Sequence, residues 1–366
     1  MASDGPVPQP GILDISPYVG GESKAPGVDR PVRLASNENA LGPSPKAVAA
    51  YAKAAAELHR YPDGSAKALR AAIGRHNGLD PARIVCGTGS DELFALLAHA
   101  YAGPGDEVLH SWHGFLAFPI VARSAGATPV AVPETNLRTD IDALLARVTP
   151  RTRIIFLANP NNPTGSYLAV GDLDRLLATL PSRVLLVLDA AYGEFVARND
   201  YSAGHEFVDR FPNVVVTHTF SKIYALAAVR LGWAYCPPAI ADALNRTRQP
   251  FNVNLPAMEA GIAALEDTAF FARSRAHNEQ WRPWLAERLA ALGLAVHPSV
   301  TNFLLVSFKP HDAEEARLYL KARGVLIRQM ASYGLPDCLR ITIGTEEEVR
   351  AVLAGIEAFL SDAGRR

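Results

Sequence analysis

One stretch of the sequence indicates both the fold and a candidate site: His218-Thr219-Phe220-Ser221-Lys222-Ile223-Tyr224-Ala225-Leu226. Arg230-Leu231-Gly232 follows it. An apolar run before it, residues 213–217, predicts a strand that ends in this polar segment. Lys222 is the only lysine between Lys67 and Lys309. A lysine that is desolvated near other cations loses its proton readily and attacks carbonyl groups, whereas an arginine stays charged and binds phosphate through two hydrogen bonds. A single loop lysine usually just faces water, so this interpretation depends on other segments.

Composition limits the classes of function. The 366 residues are 49% hydrophobic, enough for one large or two ordinary cores of a soluble protein. A net charge of −1 offers no basic surface for nucleic acid or an anionic membrane, which favours a small-molecule partner. Three cysteines, far apart and without Cys-x-x-Cys spacing, indicate neither a disulfide framework nor a zinc site. The start is polar and no apolar run could span a bilayer, so the sequence predicts a cytoplasmic protein.

A glycine-rich turn between a predicted strand and a predicted helix is a candidate phosphate site. The strand covers residues 83–86, the turn is Gly87-Thr88-Gly89-Ser90-Asp91-Glu92, and the helix covers residues 93–101. Backbone N–H groups and the positive end of a helix dipole meet at such a point and bind anions. The same residues also suit a plain turn with a helix N-cap, and this motif alone does not decide between the two.

Alternating strands and helices predict an α/β fold with a mostly parallel sheet. Apolar runs at 107–110, 128–132, 153–158 and 184–188 alternate with helical stretches near 114–125, 139–147 and 170–180. Ligands of such folds bind at the C-terminal ends of the strands. Two of these strands end in Asn159-Pro160-Asn161-Asn162-Pro163-Thr164-Gly165 and in Asp189-Ala190-Ala191-Tyr192. An acid that ends a buried strand is costly unless a cation, such as a protonated ring nitrogen, pairs with it; capping a helix is the other explanation.

The pattern changes after Pro237. Helices dominate to about residue 294, and short strands then alternate with two helices, as in an α+β domain. We therefore expect three parts. An N-terminal arm, residues 1–45, packs with the smaller domain; a large domain, residues 46–250, binds the ligand; and a small α+β domain covers residues 251–366.

Seven ordered motifs make the sequence similar to the pyridoxal-phosphate-dependent aminotransferases of fold type I and, within them, to the histidinol-phosphate aminotransferases. The resemblance runs from Tyr18 to the C-terminal helix. Its motifs are residues 36–39, 60–63, 89–92, 159–165, 189–192, 219–222 with Arg230, and 338–344. It implies a mostly parallel central sheet flanked by helices, together with a smaller α+β domain.

The resemblance also implies which residues bind pyridoxal 5'-phosphate. Lys222 would hold the cofactor as a Schiff base and move the substrate's proton, Asp189 would keep the ring nitrogen protonated, and Tyr192 would hydrogen-bond the phenolic oxygen. The cofactor contacts implied besides these are Gly89, Ser90, Asp91, Phe115, Asn162, Thr219, Ser221 and Arg230, with Tyr61 reaching over from the second subunit of a homodimer.

The same family binds its substrate through residues that match Tyr18, Asn39, Tyr61, Asn162, Arg328 and Arg340. Two arginines suit the double negative charge of a phosphate, whereas the carboxylate of an amino acid needs only one arginine. The implied reaction is therefore amino transfer from L-histidinol phosphate to 2-oxoglutarate, a step of histidine biosynthesis, and no metal is implied.

Departures from the family pattern keep alternatives open. Phe115 stands where many relatives have tyrosine, and Ala40 follows Asn39 where proline is frequent. An aromatic amino acid aminotransferase on the same scaffold is the main alternative. A threonine-phosphate decarboxylase, which would keep every cofactor residue, is less favoured. A regulatory protein would need a DNA-binding module, and the arm before Tyr18 is too short for one.

Overall fold

The computed structural model describes residues 5–364. Its strands are β1 (Val32–Leu34), β2 (Ile84–Gly87), β3 (Glu107–Ser111), β4 (Thr128–Val132), β5 (Glu134–Thr135), β6 (Arg138–Thr139), β7 (Thr152–Ala158), β8 (Leu185–Asp189), β9 (Val214–Thr219), β10 (Gly232–Tyr235), β11 (Ala295–Val296), β12 (Phe303–Ser307), β13 (Val325–Gln329) and β14 (Cys338–Thr342). Its α-helices are α1 (Pro45–Ala54), α2 (Lys67–Asn77), α3 (Ser90–Tyr101), α4 (Ala117–Ser124), α5 (Ile141–Ala146), α6 (Val170–Thr179), α7 (His205–Arg210), α8 (Pro238–Thr247), α9 (Leu255–Glu266), α10 (Thr268–Ala291), α11 (Ala313–Ala322) and α12 (Glu346–Ala363).

The large sheet brings the polar strand ends together. Within the described residues it has seven strands in the order β2-β10-β9-β8-β7-β3-β4. All neighbouring strands are parallel except β10, which runs antiparallel to β9 and β2. Ala158, Asp189 and Thr217 are register partners across β7, β8 and β9. The segments that follow these strands therefore meet at the C-terminal ends of the strands, where folds of this architecture usually bind ligands.

Helices cover both faces of this sheet. Along β7, Ile155 and Leu157 belong to one buried cluster, whereas Ile154 and Phe156 belong to the other. Strands buried on both faces have continuous apolar runs instead of alternation, which is why β7 and β8 could be recognised in the sequence.

A smaller sheet forms the second body of the fold, in the order β1-β13-β14-β12-β11. Strand β1, from the N-terminal arm, pairs in parallel with β13 and contributes Leu34 to the core under α10, α11 and α12. Helix α9 packs on α1 and α2, and its buried residues belong to a core of the large sheet. The predicted boundary at residue 250 thus falls before a helix that packs with the large sheet, and the division into domains stays a prediction.

The α/β fold class is confirmed, and most predicted elements lie within a few residues of their observed bounds. One difference affects the site: α3 begins at Ser90, three residues earlier than predicted, so Ser90 and Asp91 belong to its first turn. Acidic residues are favourable there because they face the positive end of the helix dipole. No helix within residues 5–364 is long and apolar enough to cross a membrane.

Candidate active site

A cavity of about 150 Å³ lies at the C-terminal edge of the large sheet. Its walls come from the first turn of α3, the loop after β7, the end of β8 and the segment after β9. Two alanines, Ala191 and Ala227, line it together with ten of the predicted site residues: Ser90, Asp91, Phe115, Asn162, Asp189, Tyr192, Thr219, Ser221, Lys222 and Arg230. Segments up to 140 residues apart in the sequence are therefore brought to one place by the parallel strands.

Lys222 projects its amine into this cavity from the segment after β9. The side chain is half-buried, Nζ donates a hydrogen bond to the carbonyl oxygen of Ser36 at 3.2 Å, and it lies 5.7 Å from the centre of the Tyr192 ring. Burial, followed by the positive charge of Arg340, lowers the pKa of the Lys222 amine to about 8. A larger fraction of this amine is thus uncharged at neutral pH than for an exposed lysine, as a nucleophile requires.

Asp189 ends β8 as a buried carboxylate, 6% exposed. Its Oδ1 accepts hydrogen bonds from the Thr217 hydroxyl at 3.2 Å and from the Ala191 N–H at 3.3 Å. Burial, and then the negative charge of Asp91, raises the pKa of the Asp189 carboxyl to about 7. A carboxylate that is this strongly desolvated is stabilised by a nearby cation, which the cavity leaves room for.

Arg230 and the start of α3 form a tight cradle next to the carboxylate. The guanidinium donates to the Ser221 hydroxyl at 3.3 Å and to Asp91 at 3.1 Å. Gly89 has a φ of +83°, and a Cβ atom there would lie 2.5 Å from Nη2 of Arg230. The close approach of Arg230 to the helix N-terminus therefore requires glycine at this position. N–H groups, a hydroxyl and a guanidinium that meet in this way suit a phosphate group.

Arg340 is buried, 5% exposed, on β14 of the small sheet. It donates to Oδ1 of Asn162 and, at 2.9 Å, to the carbonyl oxygen of Ala35. Its Nε has no hydrogen-bond partner among residues 5–364. Because burial of an unsatisfied charged donor is unfavourable, this side chain is suited to an anion that enters the site.

Arg328 lies directly opposite Arg340 in the register of β13 and β14. Side chains of opposite residues lie on the same face of a sheet and within reach of each other. Arg328 also lies near Tyr18, with its guanidinium carbon 5.9 Å from the centre of the ring, and it donates to the carbonyl oxygen of Val19 at 2.6 Å. Two of the predicted substrate contacts, Tyr18 and Arg328, therefore lie beside each other.

Two predicted residues lie elsewhere. Tyr61 is 83% exposed and stacks on Phe251, with 4.7 Å between ring centres, and it does not line the cavity of its own chain. Its contact with the cofactor of a second subunit stays a prediction. Asn39 donates to the Ile223 carbonyl at 2.7 Å and accepts from the Leu41 N–H at 2.9 Å, so its amide is engaged within the chain.

Asn37 is a site residue that reading of the sequence did not assign. Its side chain donates to the Tyr192 hydroxyl at 2.8 Å and accepts from the Thr342 hydroxyl at 3.1 Å. Its backbone has a φ of +56°, which asparagine tolerates better than most residues. Burial raises the pKa of Tyr192 to about 12, so the hydroxyl stays protonated and is held in place by Asn37.

A buried group of titratable side chains lies next to the site without lining it. Nδ1 of His218 is 2.9 Å from Oε1 of Glu194, and its Nε2 is 2.9 Å from Nε2 of His205. The His218 ring stacks on Trp233, its register partner on β10, at 4.3 Å. Burial lowers the pKa of His205 to about 3, so this ring stays neutral. The sequence showed His218 beside Lys222, but its partners depend on the sheet.

The geometry of the site and the family to which the sequence belongs together define the class of protein. The family model for aminotransferases of class I and II matches residues 29–356, and the chain belongs to that family. It is a pyridoxal-phosphate-dependent aminotransferase with the fold of type I.

Its relatives narrow the class further. The histidinol-phosphate aminotransferase of Rhodospirillum centenum is 64% identical over 358 residues, which are 97% of this chain and 99% of the relative. That of Paramagnetospirillum magneticum is 58% identical with the same coverage. The crystal structure of histidinol-phosphate aminotransferase from Sinorhizobium meliloti in complex with pyridoxal-5'-phosphate is 30% identical, superposes with a TM-score of 0.89, and covers 99% of each chain.

The residues present fit this cofactor. Asp189 offers a buried carboxylate that a protonated pyridine nitrogen would stabilise. The cradle at Gly89 and Arg230 offers donors for a phosphate, and it would be filled by any side chain at Gly89. Lys222 offers an amine that lines the same cavity.

Proposed function

We propose that this enzyme is a histidinol-phosphate aminotransferase, which transfers the amino group of L-histidinol phosphate to 2-oxoglutarate and yields imidazole acetol phosphate and L-glutamate in histidine biosynthesis. Relatives that are 51–64% identical over nearly the whole chain carry that name. L-histidinol phosphate and L-glutamate are both small molecules with an anionic group far from the amine.

The observation that carries the proposal is the pairing of Arg328 with Arg340 across β13 and β14. Like charges directly opposite each other in a sheet are unfavourable, and Arg340 in addition buries an unpaired Nε–H. A phosphate dianion between the two guanidinium groups would offset both effects. The γ-carboxylate of glutamate offers oxygens at similar spacing, so the same pair serves both half-reactions.

The residues that line the active-site cavity differ in what each would do for the cofactor. Bound pyridoxal phosphate supplies an aldehyde for the substrate's amino group and a ring that accepts electrons when the α-carbon loses its proton. Asp189 would stabilise a positive charge at the ring nitrogen, and Phe115 would pack against the ring. The residues that would contact the phosphate are Gly89, Ser90, Asp91, Thr219, Ser221 and Arg230, and the phenolic oxygen would be held by Asn162 and Tyr192.

Lys222 is the group that moves the proton in this proposal. Its lowered pKa gives an uncharged amine, which would accept a proton from the α-carbon of the substrate and deliver it to the aldehyde carbon of the cofactor. The Ser36 carbonyl, 3.2 Å from Nζ, orients the amine. Tyr192, fixed by Asn37, lies along the same wall and keeps the amine on one side of the cavity.

A homodimer in the cytoplasm completes the proposal. Tyr61 and Phe251 form an exposed aromatic pair, which is unusual on a surface that faces only water. Tyr61 of one subunit would reach the phosphate of the other, and Asn39 and Tyr18 would close over the substrate. All three cysteines are free and buried, as suits a reducing compartment.

The test is a comparison of substrates in Arg328→Gln. We expect kcat/KM for L-histidinol phosphate to fall by about 30-fold to several thousandfold, which corresponds to roughly 2–5 kcal/mol for a charge left partly unpaired. Turnover of phenylalanine, which has no distal anion, should change by less than about threefold. Arg323→Gln is the matched control, because it removes one positive charge just before β13 from a side chain that packs on Tyr319.

The opposite result identifies the other candidate. If the wild-type enzyme turns over phenylalanine or tyrosine with a higher kcat/KM than L-histidinol phosphate, and Arg328→Gln leaves that ratio unchanged, the enzyme is an aromatic amino acid aminotransferase. Release of CO2 from threonine phosphate in place of amino transfer would instead identify a decarboxylase.

A further inference from the structure

A second cavity, of about 450 Å³, lies where the two bodies of the fold meet. One wall comes from the large-sheet part of the chain, residues 136–138, 164–167 and Arg198, and the other from Arg282 on α10 and the segment 297–300. The walls are joined at the base, where the N–H of Val300 donates to the carbonyl oxygen of Gly165 at 3.1 Å. Gly165 ends the loop that carries Asn162, so this cavity adjoins the active-site loop without containing a residue assigned to cofactor or substrate.

The lining of this cavity is cationic. It contains Arg138, Arg198, Arg282 and His297, and none of the described lining residues is acidic. Arg138 is paired with Asp172, and Arg198 lies 3.7 Å from Asp200. Two of the positive charges are therefore partly balanced by carboxylates that do not line the cavity. Three guanidinium groups on facing walls offer forked donors of the kind that bind phosphate and carboxylate.

Arg282 is the cation that lacks a partner. It donates no hydrogen bond and forms no ion pair within residues 5–364, and its charged neighbour Glu279 is itself paired with Arg275 at 3.0 Å. Burial lowers the pKa of Arg282, and burial also lowers the pKa of His297 across the cavity. A partly buried guanidinium whose only acidic neighbour is paired with another arginine is unfavourable, and an anion in the cavity would lower that cost.

We propose that this cavity binds a small organic oxyanion, a phosphate monoester or a carboxylate, between Arg282 on one wall and Arg138 on the other. Its volume lies within the roughly 300–1,000 Å³ usual for small-molecule sites. A ligand held by both walls would fix the segment 297–300 against the loop 159–165. Because that loop carries Asn162, which accepts a hydrogen bond from Arg340, occupation would be communicated to the active site.

The experiment measures binding of inorganic phosphate and of succinate to the holoenzyme by titration calorimetry. Cofactor fills its own phosphate site in this form, and the Arg328→Gln background weakens anion binding at the substrate site. We expect one site per chain to remain in Arg328→Gln. Adding Arg282→Gln should raise its Kd at least tenfold, whereas Arg288→Gln, an equal change of charge on the same helix but outside the cavity, should leave the Kd within twofold.

The two probes distinguish the ligand class, since preferential binding of phosphate indicates a phosphate ester and preferential binding of succinate a carboxylate. Cofactor absorbance and circular dichroism establish that each variant is folded, and Arg138→Gln replaces Arg282→Gln if the latter fails to fold. No saturable binding of either probe in the Arg328→Gln holoenzyme overturns the proposal. So does binding that survives unchanged in both cavity variants.

Discussion

Replacing Asp189 with asparagine separates the effect of this side chain on stability from its effect on catalysis. The carboxyl has a pKa of about 7 in the folded chain against the ordinary value of 3.8. Between these values the folded state keeps a proton that the unfolded state loses, so stability falls as the pH rises through this window. With 1.36 kcal/mol per pKa unit, the loss reaches up to about 4 kcal/mol above pH 7 and is absent below about pH 4.

Asparagine does not ionise, so the substitution removes this pH-dependent loss of stability, and it keeps the local hydrogen bonds. Its Oδ1 can accept the same hydrogen bonds from Thr217 and Ala191 that Asp189 accepts. The cofactor-free variant should therefore be more stable than the cofactor-free wild type at pH 8, and equally stable near pH 4. With cofactor bound, the order should reverse, because the carboxylate then has a positive ring nitrogen beside it and the amide does not. The kcat should fall at least about a hundredfold, which is about 2.7 kcal/mol.

Urea unfolding at several pH values, with equal protein concentrations because a dimer is expected, measures the stability difference. The contributions of other charged groups to the free energy of unfolding cancel when the variant is compared with the wild type. A stability difference that does not change between pH 4 and pH 8 would refute the assigned burial of the carboxylate. A variant with near-normal kcat would show that Asp189 only ends the strand.

Two more predictions concern Lys222. Borohydride reduction of the holoenzyme followed by peptide mapping should place the pyridoxyl group on Lys222, and a label on another lysine would contradict the assignment. The rate at which the cofactor-free enzyme combines with cofactor should rise with pH with a midpoint near pH 8, because the pKa of Lys222 is about 8 instead of 10.5. Arg340→Gln should move that midpoint to higher pH, since the positive charge of Arg340 is the second cause of the lowered pKa after burial. An unmoved midpoint would mean that burial alone lowers the pKa of Lys222.

The sequence predicted the elements of the large sheet well because parallel strands buried on both faces leave long apolar runs. The run at 184–188 became β8, Leu185–Asp189, and the carboxylate at its end is in the predicted cavity. The start of α3 was missed by three residues, because serine and acidic residues after two glycines suit a turn as well as a first helical turn.

Contacts between distant segments could not be predicted in the same way. Asn37 and Tyr192 are 155 residues apart, and the carbonyl groups of Ala35 and Ser36 that receive Arg340 and Lys222 carry no side-chain signal at all. The arm reaches the site only because β1 adds to the edge of the small sheet beside β13. Recognition of the motif at 36–39 indicated that the arm mattered, but the partners of the Asn37 side chain and of the two carbonyl groups depend on the fold.

The site also concentrates charges that the protein alone stabilises poorly. Among residues 5–364, Asp189 is buried without an ion pair, Arg340 buries an unpaired Nε–H, and Arg328 lies opposite another arginine. Each of these costs is offset by a different part of the proposed ligands: the ring nitrogen of the cofactor for the first, and the distal anion of the substrate for the other two. Since a ligand stabilises the folded state by its differential binding, cofactor and substrate should each raise the stability of the enzyme, through different residues.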